Sequence, residues 1–427
     1  MKGSRALGGA AAALLLAACG GSPGGGPSQL GALNHHVDVQ FWEAMAGGAL
    51  KPTLEQLTSD FNASQPNVTV HLQVYPDYGT LRTKTLAALA AGSPPDLSQA
   101  YPDWAAKYRQ SSALADLTPY VSAKDGLSAS DLKDIWPSLL ESGKVGGKQY
   151  MLPFNKSVNV LYYNPTLFAQ AGISDPPKTW DEFAADAKKL TGGDHWGTDA
   201  SNSLETIFEG QIRDYGGTLL SADGKKATFN SDAGVKALQV WVDMAQKDKS
   251  AHLLNGYDDA DYGSGHEAMS IGTIAGYSYK QKAIGTKFQM TTAGLPGGPS
   301  GEHDLIQGTN LVVFSHAGKD VQQGAFQYIK YLLSKSATET WSEKTGYVPV
   351  RKSAYEDMKQ SFYPQNSILQ VAPAQLPTAV STPSVSFWQE ASGDLAIELA
   401  NAVSGKKSAK QALDDAAKQV NDLVAQS

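Results

Sequence analysis

Val37-Asp-Val-Gln-Phe41, Val68-Thr-Val-His-Leu-Gln-Val74 and Asp96-Leu-Ser-Gln-Ala100 are the three short segments whose reading decides the fold. In the second, Val68, Val70, Leu72 and Val74 alternate with Thr69, His71 and Gln73, the period of a strand with one buried face. Two stretches of helical period lie between them. Pro52 to Phe61 carries Leu54, Leu57 and Phe61 along one side, and Leu81 to Ala91 is ended by Gly92-Ser-Pro-Pro95. Strand, helix, strand, helix, strand predicts an α/β lobe with a largely parallel sheet. Ligands in such sheets sit beyond the carboxyl ends of the strands. Those ends are Trp42-Glu43, Tyr75 to Tyr78, and Tyr101 to Trp104.

The second half repeats the style. Val158 to Tyr163 reads as a short apolar strand. Thr179-Trp-Asp-Glu182 has the form of a capping box, with Thr179 accepting from the amide three residues on and Glu182 returning to the Thr179 amide. Phe183, Ala187 and Leu190 continue that helix on one face. Asp232 is expected to cap a helix with Val235, Leu238 and Val242 inward. Val321 to Leu333 forms another, and Ser408 with Gln411 opens a terminal helix carrying Leu413, Val420 and Leu423. So much chain exceeds one ordinary core and calls for two large lobes.

The N-terminus is set apart from this. Lys2 and Arg5 precede an apolar run from Ala6 to Leu16, and Leu16-Ala-Ala-Cys19 follows. The run is too short for a bilayer core, which needs about 20 residues, so it reads as a secretory signal. The four residues resemble a bacterial lipobox, whose cysteine becomes the acylated first residue. Cys19 is the only cysteine, so no disulfide or thiolate metal site competes for it. The Gly/Ser/Pro run from Gly20 to Ser28 has nothing apolar to bury and behaves as a leash. Residues 1–18 are thus assigned to the signal, and 19–36 to the lipidated cysteine and linker.

Composition excludes several classes. The chain is 41% hydrophobic and 18% charged, with a net charge of −7 that grows more negative once Lys2 and Arg5 leave. Acidic residues are interspersed with lysines and no basic stripe occurs, which argues against nucleic acid as a partner. His266-Glu-Ala-Met-Ser270 begins like a metalloprotease helix, but Ser270 stands where the second histidine is required. G-x-S-x-G occurs only as Gly20-Gly-Ser-Pro-Gly24 within the leash, where no strand-to-helix elbow is expected, and there is no phosphate loop. The sequence therefore predicts no enzyme, no cofactor and no metal.

Several ordered blocks carry a resemblance. Phe41-Trp42, Tyr150-Met-Leu-Pro-Phe154 leading to Leu161-Tyr-Tyr-Asn164, and Pro176-Pro-Lys-Thr-Trp-Asp-Glu-Phe183 resemble the family 1 extracellular solute-binding proteins of ABC importers. So do Thr345-Gly-Tyr-Val-Pro-Val350 and Gly405-Lys-Lys-Ser-Ala-Lys-Gln-Ala-Leu413. Within that family, Phe41-Trp-Glu-Ala-Met45, Pro153-Phe-Asn-Lys-Ser157 and Trp341-Ser-Glu-Lys-Thr-Gly-Tyr347 are most similar to glycerol-3-phosphate-binding proteins. The resemblance implies a periplasmic-binding-protein-like fold: two α/β lobes, a multi-crossing hinge and a ligand cleft between them. It places 37–155 with 309–350 in one lobe, and 156–308 with 351–427 in the other. Crossings are expected near Asn155 to Val158, near Gly308 to Leu311, and just after Pro349. The implied partners are a small solute and the membrane subunits of a permease, with the protein a monomer tethered outside the cytoplasmic membrane.

The same resemblance gives Tyr78, Ser157, Gly308 and Tyr347 as cleft positions and Asp103, after a one-residue shift, as the acidic contact. Two positions depart from the pattern. Asn202 or its neighbours stand where the relatives carry a tryptophan, and no arginine follows Arg351 to hold a phosphate. Lys156 or a helix N-terminus would then have to substitute. Pyranose rings instead need aromatic faces together with carboxylates and amides. Trp104, Tyr277, Tyr279, Tyr347 and Trp388 supply the aromatics in loop-like settings, with Glu43, Asp103 and Asn155 nearby in the expected cleft. The sequence therefore favours a neutral carbohydrate or polyol. The alternatives are a receptor for glycerol-3-phosphate or a glycerophosphodiester, and a structural or adhesive surface lipoprotein, which leaves the lobe-crossing blocks unexplained.

Overall fold

β1 (Val37–Glu43) is flanked on both sides by parallel strands. β2 (Val68–Val74) pairs along its whole length, from Val37 opposite Val68 to Glu43 opposite Val74, and β3 (Leu97–Ala100) pairs on the other edge. The coordinates are a computed structural model and describe residues 29–201, 204–254, 256 and 258–426. Cys19, the signal, the leash to Ser28 and Asn202 lie outside the described residues. Among the described residues, no helix is long and apolar enough to cross a membrane.

The crossovers are α1 (Leu50–Ser64) and α2 (Tyr78–Ala90). α1 buries Leu54, Leu57 and Phe61, the stripe expected from their spacing. Asp77 caps α2 by accepting from the Thr80 amide at 2.7 Å, satisfying a donor that the first helical turn leaves unpaired. α3 (Pro102–Gln110) follows β3 directly, with Pro102 in its first turn, where no amide proton is needed.

A strand from much later in the chain completes this sheet. Leu305–Val313 runs antiparallel to β3 through Asn310–Val313 and antiparallel to Leu152–Ser157 through Gln307–Leu311. Leu152–Ser157 is followed, after Val158, by Asn159–Tyr163, the middle strand of a second sheet with Met269–Thr273 and Thr291–Ala293 on its edges. The chain thus passes from one sheet to the other within a single extended stretch.

Two large cores result. The first gathers Val39, Phe41, Leu97, Leu311 and Phe326, and the second Phe183, Phe208, Trp241, Trp388, Leu395 and Leu413. Burying a side chain such as Phe183 or Phe208 contributes about 1.5–3 kcal/mol. Met358, Leu369, Leu376 and Ala379 join the first core and the second resumes at Phe387, so the stretch after Arg351 does not pack wholly with the second core.

Three local expectations are corrected. Glu182 accepts from the Lys178 amide at 2.7 Å rather than from that of Thr179, although Thr179 does accept from the Glu182 amide at 3.1 Å. Ser231 caps the helix Asp232–Asp243, because its hydroxyl takes the Gly234 amide and Asp232 is already helical. Trp104 on α3, Tyr277 and Tyr279 on the helix Tyr277–Ile284, and Trp388 at the start of the helix Trp388–Val403 all lie on helices rather than in loops.

Candidate ligand-binding site

At the carboxyl ends of β1 and β3, one glutamine organises the floor of the region between the lobes. Gln99 Oε1 accepts from the Ala44 amide at 2.7 Å, and Gln99 Nε2 donates to Asn155 Oδ1 at 2.9 Å and Thr309 Oγ1 at 3.0 Å. Thr309 also donates to Asn155 Oδ1. Asn155 Nδ2 then donates to the Tyr78 hydroxyl at 2.7 Å, and Tyr347 lies beside both Tyr78 and Asn155. Six separate chain segments meet here. Burial holds both phenols above their ordinary pKa, so they stay protonated and available to a ligand's oxygens.

Aromatic rings form a wall beside this floor. Tyr78, Tyr101 and Trp104 meet edge to face, with centroids 5.4 Å apart for Tyr78 and Tyr101 and 5.0 Å for Tyr101 and Trp104. Such rings offer flat apolar faces to one another and to a guest. The Trp104 indole donates to Gln389 Oε1 at 2.9 Å, and Gln110 Nε2 donates to Ser386 Oγ at 2.8 Å. α3 therefore touches the segment that enters the second core.

Acidic groups approach from both sides. Asp103, in the first turn of α3, is buried and pushed up to about 6 by that burial, with Glu209 raising it further and Arg82 opposing. Glu209 and Glu205 stand one turn apart on the helix Leu204–Asp214. Burial and their mutual repulsion hold Glu205 well above the usual carboxylate range. Glu209 accepts from the Trp388 indole at 2.8 Å and from Thr382 at 3.1 Å, and Arg213 lowers its pKa. Glu43, at the end of β1, accepts from the Met45 amide and is pushed up to about 7 by burial.

The remaining candidates fall as follows. Ser157 Oγ accepts from Thr273 Oγ1 at 2.8 Å, tying the two sheets together. Gly308 has φ +75° opposite Lys156, and a Cβ there would meet the Asn155 carbonyl oxygen at 1.9 Å, so only glycine fits. Tyr277 opens its helix half-buried, while Tyr279, 49% exposed, brings its hydroxyl against Gly47 just beyond β1. Trp388 is buried in the second core and reaches the site only through Glu209. Lys156 is also buried, its Nζ donating to the Gly308 carbonyl at 3.3 Å. Tyr101 stands at a strand end the sequence had marked, whereas Gln99, Thr309, Glu205 and Glu209 were not legible as site residues. Gln99 and Thr309 sit within strands, where a polar residue reads as solvent-facing.

A match to the family described as bacterial extracellular solute-binding protein covers residues 56–370. The chain belongs to that family. It is a solute-binding protein of the two-lobed α/β class, as the sequence blocks predicted. It is 28% identical over 361 residues to the sn-glycerol-3-phosphate-binding periplasmic protein UgpB of Yersinia pestis, covering 79% of this chain and 80% of the relative. The cyclic α-maltosyl-1,6-maltose binding protein of Arthrobacter globiformis matches with TM-score 0.79 and 25% identity, over 92% of this chain and 100% of that one. UgpB of Mycobacterium tuberculosis, solved with glycerophosphocholine, matches with TM-score 0.79 over 91% of this chain and 98% of that one; at 21% identity it speaks to the fold alone.

Proposed function

We propose that this protein is the substrate-binding lipoprotein of an ABC importer. It captures a carbohydrate or polyol between its lobes, closes about the hinge and delivers the solute to a membrane permease. Cys19 carries the anchor. The lobes are 37–155 with 309–350, and 156–308 with most of 351–427. Ligand contacts are assigned to Tyr78, Asp103, Trp104, Asn155, Tyr277 and Tyr347, with Glu43, Ser157, Gly308 and Trp388 supporting them. Gln99, Thr309 and Glu209 are added.

The observation that carries this reading is the meeting of α3 with the segment that leads into the second core, where Ser384 donates to the Pro102 carbonyl beside Asp103 at 3.2 Å and Thr382 donates to Glu209 at 3.1 Å, next to the Tyr78–Tyr101–Trp104 wall. Carboxylates accept from sugar hydroxyls while rings cover the apolar faces of a pyranose. A phosphate would meet acids here. Lys156 is turned inward onto Gly308, and Arg351 is held by Asp131 at 2.8 Å and Asp134 at 3.2 Å. A ligand bridging both lobes shifts the balance toward closure only by its differential affinity for that form.

A second reading is a receptor for glycerol-3-phosphate, supported by the 28% identical glycerol-3-phosphate-binding relative, or for a glycerophosphodiester, whose cationic head group the same acids and rings suit. Isothermal titration against mono- and disaccharides, glycerol-3-phosphate and glycerophosphocholine separates the two. Saturable heat from a sugar is expected. Binding confined to the phosphorylated compounds overturns the carbohydrate assignment.

A further inference from the structure

A second polar cluster lies in the half of the molecule built on the second sheet, and the site above does not use it. The short strands Thr198–Ala200 and Ala251–Leu253 run parallel, with Asp199 opposite His252. Glu267 bridges to Trp196 just before Thr198, and Asp258 immediately precedes the helix Asp259–Ser264. Asp199, Asp258 and Glu267 are all buried, and their carboxylate oxygens lie within 4.8 Å of one another. One buried ammonium faces them. Lys280 pairs with Asp258 and donates to Ser270 at 3.1 Å; it lies 3.6 Å from the half-exposed Asp259 and over the rings of Tyr162 and Tyr262. Three carboxylates against one ammonium leave two negative charges in a region that solvates them poorly.

Glu267 supplies an independent sign of a missing partner. It is 0% exposed, and neither of its carboxylate oxygens has a hydrogen-bond partner among the described residues. The same holds for Asp199 Oδ1 and for the buried hydroxyl of Thr198. His252 Nδ1 is 4.0 Å from Glu267 Oε1, too far for a hydrogen bond. Two ligands each about 2.4 Å from one Ca2+ stand up to about 5 Å apart, so carboxylates gathered within 4.8 Å fit around a single ion of that size.

We propose that Asp199, Asp258 and Glu267 bind one divalent cation of the calcium class. All-oxygen ligation by three carboxylates suits a hard ion, and its two charges balance the two that Lys280 leaves over. The sequence predicted no metal, because Glu267 drew notice only within an incomplete His-Glu motif and Asp199 lies far away in the chain. The ion would tie both short strands to the segment before the helix Asp259–Ser264. Through Asp258 and Lys280 it would also steady the helix that presents Tyr277 and Tyr279.

The test uses the mature chain, stripped with EDTA and titrated with CaCl2, MgCl2 or ZnCl2. Melting temperature and calorimetric stoichiometry are read together. A saturable rise of several degrees with Ca2+ at one ion per chain is expected, and it disappears in Glu267→Gln and in Asp199→Asn. Without metal, both variants should melt no lower than the stripped parent, since each removes a repelling charge. Should either fail to fold, the parent's stoichiometry and the other variant still decide. No Ca2+ response in the parent overturns the proposal and means that protons neutralise the cluster. A response kept in the variants places the ion elsewhere and overturns it too, and a response to Zn2+ alone overturns the calcium assignment.

Discussion

The Asn155 side chain donates to the Tyr78 hydroxyl at 2.7 Å, and that one bond joins the strand leaving the first sheet to the helix that opens beside the cleft. Asn155 is fully used, since its carbonyl oxygen already accepts from Gln99 and Thr309. Asn155→Ala should therefore cost more than Tyr78→Phe. Removing one hydroxyl from Tyr78 forfeits about 0.5–1.5 kcal/mol, or roughly threefold to tenfold in affinity. Removing Asn155 takes one acceptor from the Gln99 amide and the acceptor of the Thr309 hydroxyl as well, and should lower both the melting temperature and ligand affinity. Equal effects of the two variants in calorimetry would contradict this hierarchy.

Asp103→Ala is expected to weaken carbohydrate binding by about 10- to 100-fold, because hydrogen bonds to a charged group contribute about 1.5–3 kcal/mol each. Lys156→Met should leave affinity unchanged, since Lys156 is turned onto the Gly308 carbonyl. Affinity for a neutral sugar should also change little between low and high salt, there being no ligand charge to screen. A dominant effect of Lys156, or a steep fall in affinity with salt, would favour the phosphorylated ligands.

Two buried groups give opposite pH dependences. Glu43 is raised from 4.5 to about 7, so its contribution to stability is complete below about 4.5 and is lost as pH rises through about 7. Lys156 is lowered from 10.5 to about 7, so its contribution is complete above 10.5 and is lost as pH falls through about 7. Glu43→Gln should flatten the decline in melting temperature on the acid side of neutrality. Lys156→Met should flatten the rise on the alkaline side. Denaturant midpoints measured from pH 4 to 10 check both slopes.

Gly308→Ala should destabilise the protein by about 2–4 kcal/mol, through a positive φ and a clash with the Asn155 carbonyl. A denaturant midpoint within error of the parent's would contradict the close approach of these two strands.

Cys19→Ala should leave the mature body folded and release it from the membrane fraction, because both large cores are built from residues after Ser28. Retention in the membrane after a high-salt wash would overturn the lipid anchor.

What the sequence made legible follows from where the physics is local. β1, β2, β3 and the helices between them lie where alternation and 3.6-residue spacing put them, because each pattern is written in neighbouring residues. Tyr78 and Tyr347 came from motif resemblance and Asn155 from the need for an amide near the expected cleft, and the structure brings the three together, with Asn155 donating to Tyr78. Gln99 and Thr309 escaped notice because their partners are about 56 and 154 residues away in the chain, as with Gln99 to Asn155 and Thr309 to Asn155. Glu205 and Glu209 escaped for a similar reason: on a helix, two acids one turn apart read as a solvated face until tertiary packing buries them.

The pairing of β3 with Leu305–Val313 also sets the order in which the molecule can fold. β1, β2 and β3 are all present within the first hundred residues, yet one edge of β3 has no antiparallel neighbour until the chain has grown through Val313. Contacts so distant in the chain slow folding, because the loop must close before the pairing rewards it. A growing chain therefore leaves one edge of its first sheet open until residues through Val313 are available to cover it.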